Sequence, residues 1–594
     1  MKRTLTSFAL CILCSSIFAT SLQRPIDKII NQIDPNINMG MMVVDLNTGE
    51  TLYQKNVNQT FIPASNMKLF SDAVALLVLG PDYRFQNRLS TDATSLQNGI
   101  LNGSLYLYLP GDPSFTQAHL DILFAQLPKW GIHRITGNVV IVSDHSNISP
   151  HAPGVVPKDL TYSYGAATAP LMIDENRVTV TVNPSYRAGA LALVEYSAPN
   201  KTFALDNQVK TIDGRCGVGL KTTEDNRLTV RGCVNLGQGA IQARIPISNP
   251  LAYAQSLIKR RLEHVNITLD GQVMLGQSPR STLLLATHLS KPITQLMADT
   301  LKPSDNLYAD SLFLHAAGTI HGSPLNWQQA EPIVKNYIQQ QIGLNLQNAV
   351  LIDGSGLSRH DLITPEQTVG LLRYLHDRFP LAYEYIAALP IAGQDGTLMK
   401  RFRKPTQQGF LRAKTGSMTG ISSLSGYLYS ANAHTLAFAI YINTRPGTNP
   451  SISGRYRGLV DALCDFLLQQ KPDSRRVTPT QNPHARVAFQ HQPSQTDKIR
   501  TRHAKWRRIE YALKQALHNQ PIEIIFRNEQ LVLIDHGADT TKVLAVLESI
   551  RKRYNFSVAF HSKTALSGNR QMPLLMWIDD SQDQRTWILK ESMG

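Results

Sequence analysis

The sequence predicts an α+β multidomain fold: a helix-and-sheet body interrupted by a large β-rich insert, followed by a small C-terminal α/β unit. Three observations predict it. At 594 residues the chain exceeds one ordinary domain, and two to four are expected. From about 86 to 275, strands such as "GNVVIVSD" and "RVTVTVNPS" alternate with Gly, Pro and Asn, and few helices are evident. On either side of that stretch the text is helical, and near its end it carries the strands "SSLSGYLYS" and "HTLAFAIYIN".

Taken in order, residues 1–21 read as a signal peptide. Lys2 and Arg3 precede an apolar run from Phe8 to Phe18, and Ala19 and Ser21 are spaced as at a signal-peptidase site. The run is short for a membrane span, so an exported, cleaved, periplasmic chain is expected. "GMMVVDLNTGETLYQKN" gives two short strands around the turn Asn47-Thr48-Gly49, and an apolar helix then starts at "FIPASNMKLF". Residues 22–85 and 276–470 form the expected body, with residues 86–275 as inserted domains. The Pro-, Gln- and Ser-rich text of 471–499 reads as a linker, and 500–594 as a last unit of alternating helix and strand.

The formal charge of +15 points to an anionic partner, and export argues against nucleic acid. From residue 471 onward there are 20 Lys/Arg against 12 Asp/Glu, a surplus of 8, which suits an anionic wall polymer or lipid surface. A charged face that is merely solvated accounts for it equally well. Cys216 and Cys233 flank two strands and a turn. In an oxidising compartment they form a disulfide; the alternative is a pair of small hydrophobes. Cys464, in helical text, reads as a buried free thiol.

Chemistry is concentrated in three short stretches. Ser65 and Lys68 lie three apart at the start of a helix, so hydroxyl and amine share a face. A serine hydroxyl needs a base, and a lysine serves as one if burial or another cation disfavours its charge. At the first helical turn, free N–H groups also stabilise developing negative charge. The spacing alone is weak, because Ser256/Lys259 and Ser549/Lys552 repeat it. Two further elements strengthen it: Ser304-Asp305-Asn306 at the head of another helix, and Lys414-Thr415-Gly416, which occurs once, at a strand. Ser-x-x-Lys, Ser-Asp-Asn and Lys-Thr-Gly in that order mark penicillin-binding proteins and class A β-lactamases.

With these motifs, residues 25–470 resemble the class C low-molecular-mass penicillin-binding proteins, the D-alanyl-D-alanine carboxypeptidase/endopeptidase group of peptidase family S13. "DGSGLSRHDLITP", "LPIAGQDGTLMKRF" and "NLYADSLF" are similar to family segments, with Asp361 standing where an Asn is common. The resemblance implies a penicillin-binding/β-lactamase-like transpeptidase body, an antiparallel sheet flanked by helices. It implies a D-alanyl-D-alanine carboxypeptidase and endopeptidase acting on peptidoglycan peptides and inhibited by β-lactams.

Residue by residue, it makes Ser65 the nucleophile and Lys68 its base, kept neutral partly by Lys414. Ser304 and Asn306 relay a proton and hold the substrate amide. Thr415, Gly416 and Ser417 belong to the carboxylate pocket, and the N–H groups of Ser65 and Ser417 form the oxyanion hole. The Ser65–Lys68 pair is expected at the mouth of a cleft, with Leu69, Ala73, Leu76 and Leu77 packed inside. Asp159 suits the ammonium of a diamino acid, or is a loop aspartate in water. Tyr162 and Tyr164 read as packing residues, and Asp353 and Arg359 as loop-ordering ones. No cofactor or metal is implied. A β-lactamase reading fits the length and insert poorly; a wall-binding or antibiotic-sensing scaffold that acylates only once is the remaining alternative.

Overall fold

Alternating apolar side chains in "MGMMVVD" put Met41 and Val43 on one face of the strand Met39–Asp45 and Met42 and Val44 on the other. Both faces are covered, so the strand is apolar on both sides rather than on one. It is one of five antiparallel strands in the order Leu411–Met418, Ile421–Tyr429, Thr435–Asn443, Met39–Asp45, Thr51–Lys55. The computed structural model describes residues 22–470, apart from 200–201, 224 and 445–449. Beyond these it describes residues 513, 517, 545–546 and five strands between 522 and 590. The expected signal peptide and linker lie outside the described residues.

One face of the sheet packs on Gln23–Ile33 and Pro450–Leu468, with Cys464 buried and unpaired between them. The other face packs on a larger helical core that includes Lys68–Leu79, Ile293–Leu301, Asn306–His321, Trp327–Ile342 and Pro365–His376. The helix Lys68–Leu79 lies deep in that core: Leu69, Ala73, Val74 and Leu76 are wholly buried. Each large side chain among these contributes about 1.5–3 kcal/mol by burial.

The insert has its own hydrophobic core, running from Leu89 to Leu285. Its largest sheet orders Val273–Leu275, Val139–Ser143, Leu105–Leu109, Gln86–Thr91, Leu283–Leu289. The last of these strands comes from beyond the limit of 275 that composition suggests, and it pairs antiparallel with Gln86–Thr91 where the insert begins. Entry and exit of the insert are thereby brought side by side. Two helices, Gln117–Phe124 and Pro250–His264, pack on its sheets; the second is capped by Asn249 with Pro250 in its first turn. Cys216 and Cys233 are disulfide-bonded, with Cα atoms 5.5 Å apart.

The chain divides into two compact units, Met1–Asp473 and Ser474–Gly594. In the second, Gln584–Lys590 pairs antiparallel with Gln530–Asp535, Ser557–Ala559 and Leu575–Asp579, and Gln530–Asp535 pairs in turn with Ile522–Arg527. No helix among the described residues is long and apolar enough to cross a membrane.

Candidate active site

Ser65 lies in a short 3₁₀ turn, Ala64–Met67, and the α-helix begins at Lys68. Ala64 has φ +49°, a conformation that costs a non-glycine residue energy and is held only where its surroundings enforce it. The enforcing contacts are local. Gly356 packs so closely on the Ala64 carbonyl that a Cβ there would fall 1.9 Å from the oxygen. Asn66 donates to Ser423 Oγ, which donates to the Pro63 carbonyl at 2.8 Å.

Lys68 Nζ reaches three acceptors: Ser65 Oγ at 3.2 Å, Asn306 Oδ1 at 2.6 Å and the Ser355 carbonyl at 2.7 Å. The side chain is fully buried, whereas Ser65 is partly exposed. The expected pair at the mouth of the cleft is therefore a serine at the surface over a lysine sealed beneath it. Burial pushes the Lys68 ammonium down to about 8, although Asp310, Asp353, Asp305 and Asp72 pull it upward.

Ser304, Asp305 and Asn306 open the helix Asn306–His321. Ser304 has φ +66°, and Asp305 is the N-cap, accepting from the Tyr308 N–H at 3.3 Å. Asn306 Nδ2 donates to the Tyr164 carbonyl at 2.9 Å, which joins this motif to the insert. The Ser355 carbonyl is set by a loop wound around Asp353. That carboxylate accepts from the N–H groups of Ser355, Gly356 and Ser358. Asp353 is thus the loop-ordering residue, and through Ser355 its loop touches the amine of Lys68.

Lys414, Thr415, Gly416 and Ser417 occupy the edge strand Leu411–Met418. Lys414 Nζ donates to Ser304 Oγ at 2.8 Å and to the Thr415 carbonyl at 2.9 Å. Burial, and next the charge of Lys68, hold its ammonium well below the usual lysine range. Thr415 Oγ1 donates to Thr397 Oγ1 at 2.9 Å. Gly416 has no room for a side chain: a Cβ would sit 2.1 Å from Ser423 Oγ and 2.7 Å from the Pro63 carbonyl. Its absence lets the strand press against the Ser65 turn. On the outer edge of the strand, Leu411 and Ala413 bond Ala392 and Pro390. Backbone alternation turns the peptide groups of Thr415 and Ser417 to that same edge.

Six of the sequence-predicted residues therefore meet directly: Ser65, Lys68 and Asn306 on one chain of contacts, Ser304, Lys414 and Thr415 on another. Asp159 begins a 3₁₀ turn at the rim, accepts from Tyr164 Oη at 3.0 Å, and lies five residues from the carbonyl that holds Asn306. Tyr162 and Tyr164 stack on each other with ring centroids 5.2 Å apart and stay exposed, so they do not pack into a core. Asp361 is buried and accepts from the Ile352 N–H at 2.8 Å; desolvation, with Asp353 next to it, raises its carboxyl well above the ordinary range.

Thr397, Ser355, Asn66 and Asp310 enter the site without a motif to announce them. The only signal for Thr397 and Ser355 is their place in the family-like segments 389–402 and 353–365. Asp310 accepts from the Gly354 N–H at 3.0 Å, one helical turn beyond Asn306.

The arrangement can deprotonate a serine through Lys68 and sets a second buried amine, Lys414, on the Ser304 hydroxyl at the edge strand. Comparison with known proteins agrees in kind. Residues 22–459 match the D-Ala-D-Ala carboxypeptidase 3 (S13) family. The chain is 32% identical over 419 residues to the D-alanyl-D-alanine carboxypeptidase DacB of Haemophilus influenzae, covering 68% of this chain and 85% of that one. It is 31% identical over 480 residues to a D-alanyl-D-alanine carboxypeptidase of Actinomadura, covering 77% and 87%. The crystal structure of Haemophilus influenzae penicillin binding protein 4 superposes with a TM-score of 0.67 at 29% identity, covering 75% of this chain and 99% of that one. The same protein complexed with a β-lactam gives 0.62 at 28%.

Proposed function

The chain belongs to the D-Ala-D-Ala carboxypeptidase 3 (S13) family and is a serine-type D-alanyl-D-alanine carboxypeptidase; from that premise we propose that Ser65 is its nucleophile and Lys68 the base. The observation that carries the assignment is one buried amine in contact with Ser65 Oγ and Asn306 Oδ1 together, beside a second buried lysine on Ser304.

In this reading Lys68 takes the Ser65 proton as Oγ attacks the carbonyl carbon between two D-alanines. The oxyanion is held by the N–H groups of Ser65 and Ser417. The C–N bond breaks, and the leaving D-alanine amine takes its proton through Lys68 and Ser304, with Asn306 steadying the substrate amide. Lys68 then takes a proton from the water that attacks the ester and returns it to Ser65 Oγ as the acyl group leaves, which restores the neutral amine and the serine hydroxyl. Thr415, Ser417 and the Lys414 amine hold the terminal carboxylate, and Gly416 keeps the strand close. Asp159, at the rim, meets the ammonium of the diamino acid. The substrates are peptidoglycan stem peptides and D-alanyl cross-links, and penicillins acylate the same oxygen. Export to the periplasm is read from residues 1–21, and attraction of the basic C-terminal unit to an anionic wall or lipid surface from its charge.

Labelling with a fluorescent penicillin tests the core of this. Wild type takes up one adduct on the peptide containing Ser65, and Ser65→Ala takes up none. An adduct on another serine refutes the assignment.

A further inference from the structure

Three consecutive non-glycine residues of the insert, Asp174, Glu175 and Asn176, have φ of +53°, +57° and +49°. Such a left-handed run is sterically disfavoured at every position and persists only when its surroundings fix it. They do. Asn176 Nδ2 donates to the carbonyls of Ala167 and Leu171 at 2.8 and 2.7 Å. Asp174 accepts from Tyr253 Oη at 2.6 Å and from the Gln117 N–H at 3.1 Å.

The turn delivers the next residue, Arg177, into the body. Its side chain is 4% exposed and grips Asp305 with both terminal nitrogens, the second at 3.1 Å. It also donates to Glu175 at 2.6 Å and, through Nε, to the Ser163 carbonyl at 2.7 Å. Asp305 lies between Ser304, itself at φ +66°, and Asn306. Ser163 immediately precedes Tyr164, whose carbonyl holds Asn306.

We propose that Arg177 is a positioning residue of the peptidase reaction: from the insert, it clamps Asp305 and the Tyr164 loop so that Ser304 and Asn306 stay aimed at Lys414 and Lys68. The proposal rests on the reading of Ser304 and Asn306 as active-site groups. A planar, two-pronged cation suits the task because it fixes direction as well as charge.

The clamp also has an electrostatic consequence. Lys68 is faced by Asp72 from its own helix, by Asp305 and Asp310 from the head and second turn of the Asn306–His321 helix, by Asp353 from the loop, and by Lys414 from the edge strand. Of the carboxylates that face Lys68, Arg177 pairs with Asp305. Removing Arg177 leaves that carboxylate uncompensated and favours the charged form of Lys68; removing the Asp305 charge does the reverse.

The test is D-alanine release from an acylated tripeptide ending in D-alanyl-D-alanine, followed against pH, for wild type, Arg177→Met, Arg177→Lys and Asp305→Asn. In Arg177→Met, kcat falls about 100-fold with KM unchanged, and the acid limb moves up by roughly half to one pH unit. Arg177→Lys returns the limb to its wild-type place and recovers part of kcat. Asp305→Asn moves the limb to lower pH. Should Arg177→Met not fold, the Asp305→Asn limb decides, a downward shift supporting the proposal and an unmoved limb overturning it. Wild-type kcat and limb in a folded Arg177→Met overturn it, provided that Ser65→Ala fails to take a fluorescent-penicillin label. A label retained by Ser65→Ala overturns the underlying functional reading, and this proposal with it.

Discussion

A lysine is a poor base in water at neutral pH because it is already protonated, and in the mechanism proposed above the remedy is burial of Lys68 over its whole length. Four carboxyl groups oppose that effect, and the balance leaves the ammonium at about 8. Since only the neutral amine can accept the Ser65 proton, kcat/KM is expected to rise about tenfold per pH unit below that value and to level off above it. A pH–rate profile measured with saturating and sub-saturating peptide checks this, and a profile flat from pH 6 to 9 would show that Lys68 is not the titrating base. Close approach matters as much as charge. Gly416→Ala inserts a methyl group against Ser423 Oγ and the Pro63 carbonyl, so the edge strand must retreat from the Ser65 turn. Displacement on that scale is worth about 100-fold in acylation rate, and the overpacked contact lowers the thermal midpoint as well; stopped-flow penicillin acylation of the folded variant reads the rate.

At the scale of elements, the helix Lys68–Leu79 works because its buried apolar residues fix where its first turn points. One member of that helix does not fit a purely apolar role. Asp72 is wholly buried, neither of its oxygens has a hydrogen-bond partner among the described residues, and desolvation raises its carboxyl well above the ordinary range. The sign follows from linkage. With the folded-state value above the unfolded one, folding is favoured at pH below the unfolded value and weakened as pH climbs towards the folded value. Asp72→Asn removes that titration. It is expected to raise the thermal midpoint at pH 7 by several degrees more than at pH 4, and equal shifts at the two pH values would count against it.

At the scale of the whole molecule, three remote stretches are joined by a body that closes its sheet from both ends of residues 22–470, Met39–Asp45 pairing with Thr435–Asn443. The insert returns to its point of departure through the pairing of Gln86–Thr91 with Leu283–Leu289, so its length costs the body no distortion. The unit Ser474–Gly594 has its own antiparallel sheet. A chain ending at residue 470 is therefore expected to release D-alanine at the wild-type rate while binding anionic wall polymer or anionic vesicles less. A folded truncation that lost peptidase activity would overturn the separation of roles.

Much of this was legible in residue order. Ser65, Lys68, Ser304, Asn306, Lys414 and Thr415 were singled out because three short motifs stand in the family's order, the Ser-x-x-Lys spacing alone being repeated elsewhere, and motif order is a property of the chain. The β-rich insert was legible for a similar reason, since turn residues and two-residue alternation are local. The depth at which Lys68 lies, the approach of Gly416 to Pro63 and the grip of Arg177 on Asp305 were decided only by tertiary structure. Each depends on residues tens to hundreds of positions apart, and burial, close contact and the electrostatics that follow from them have no signature until the chain has folded.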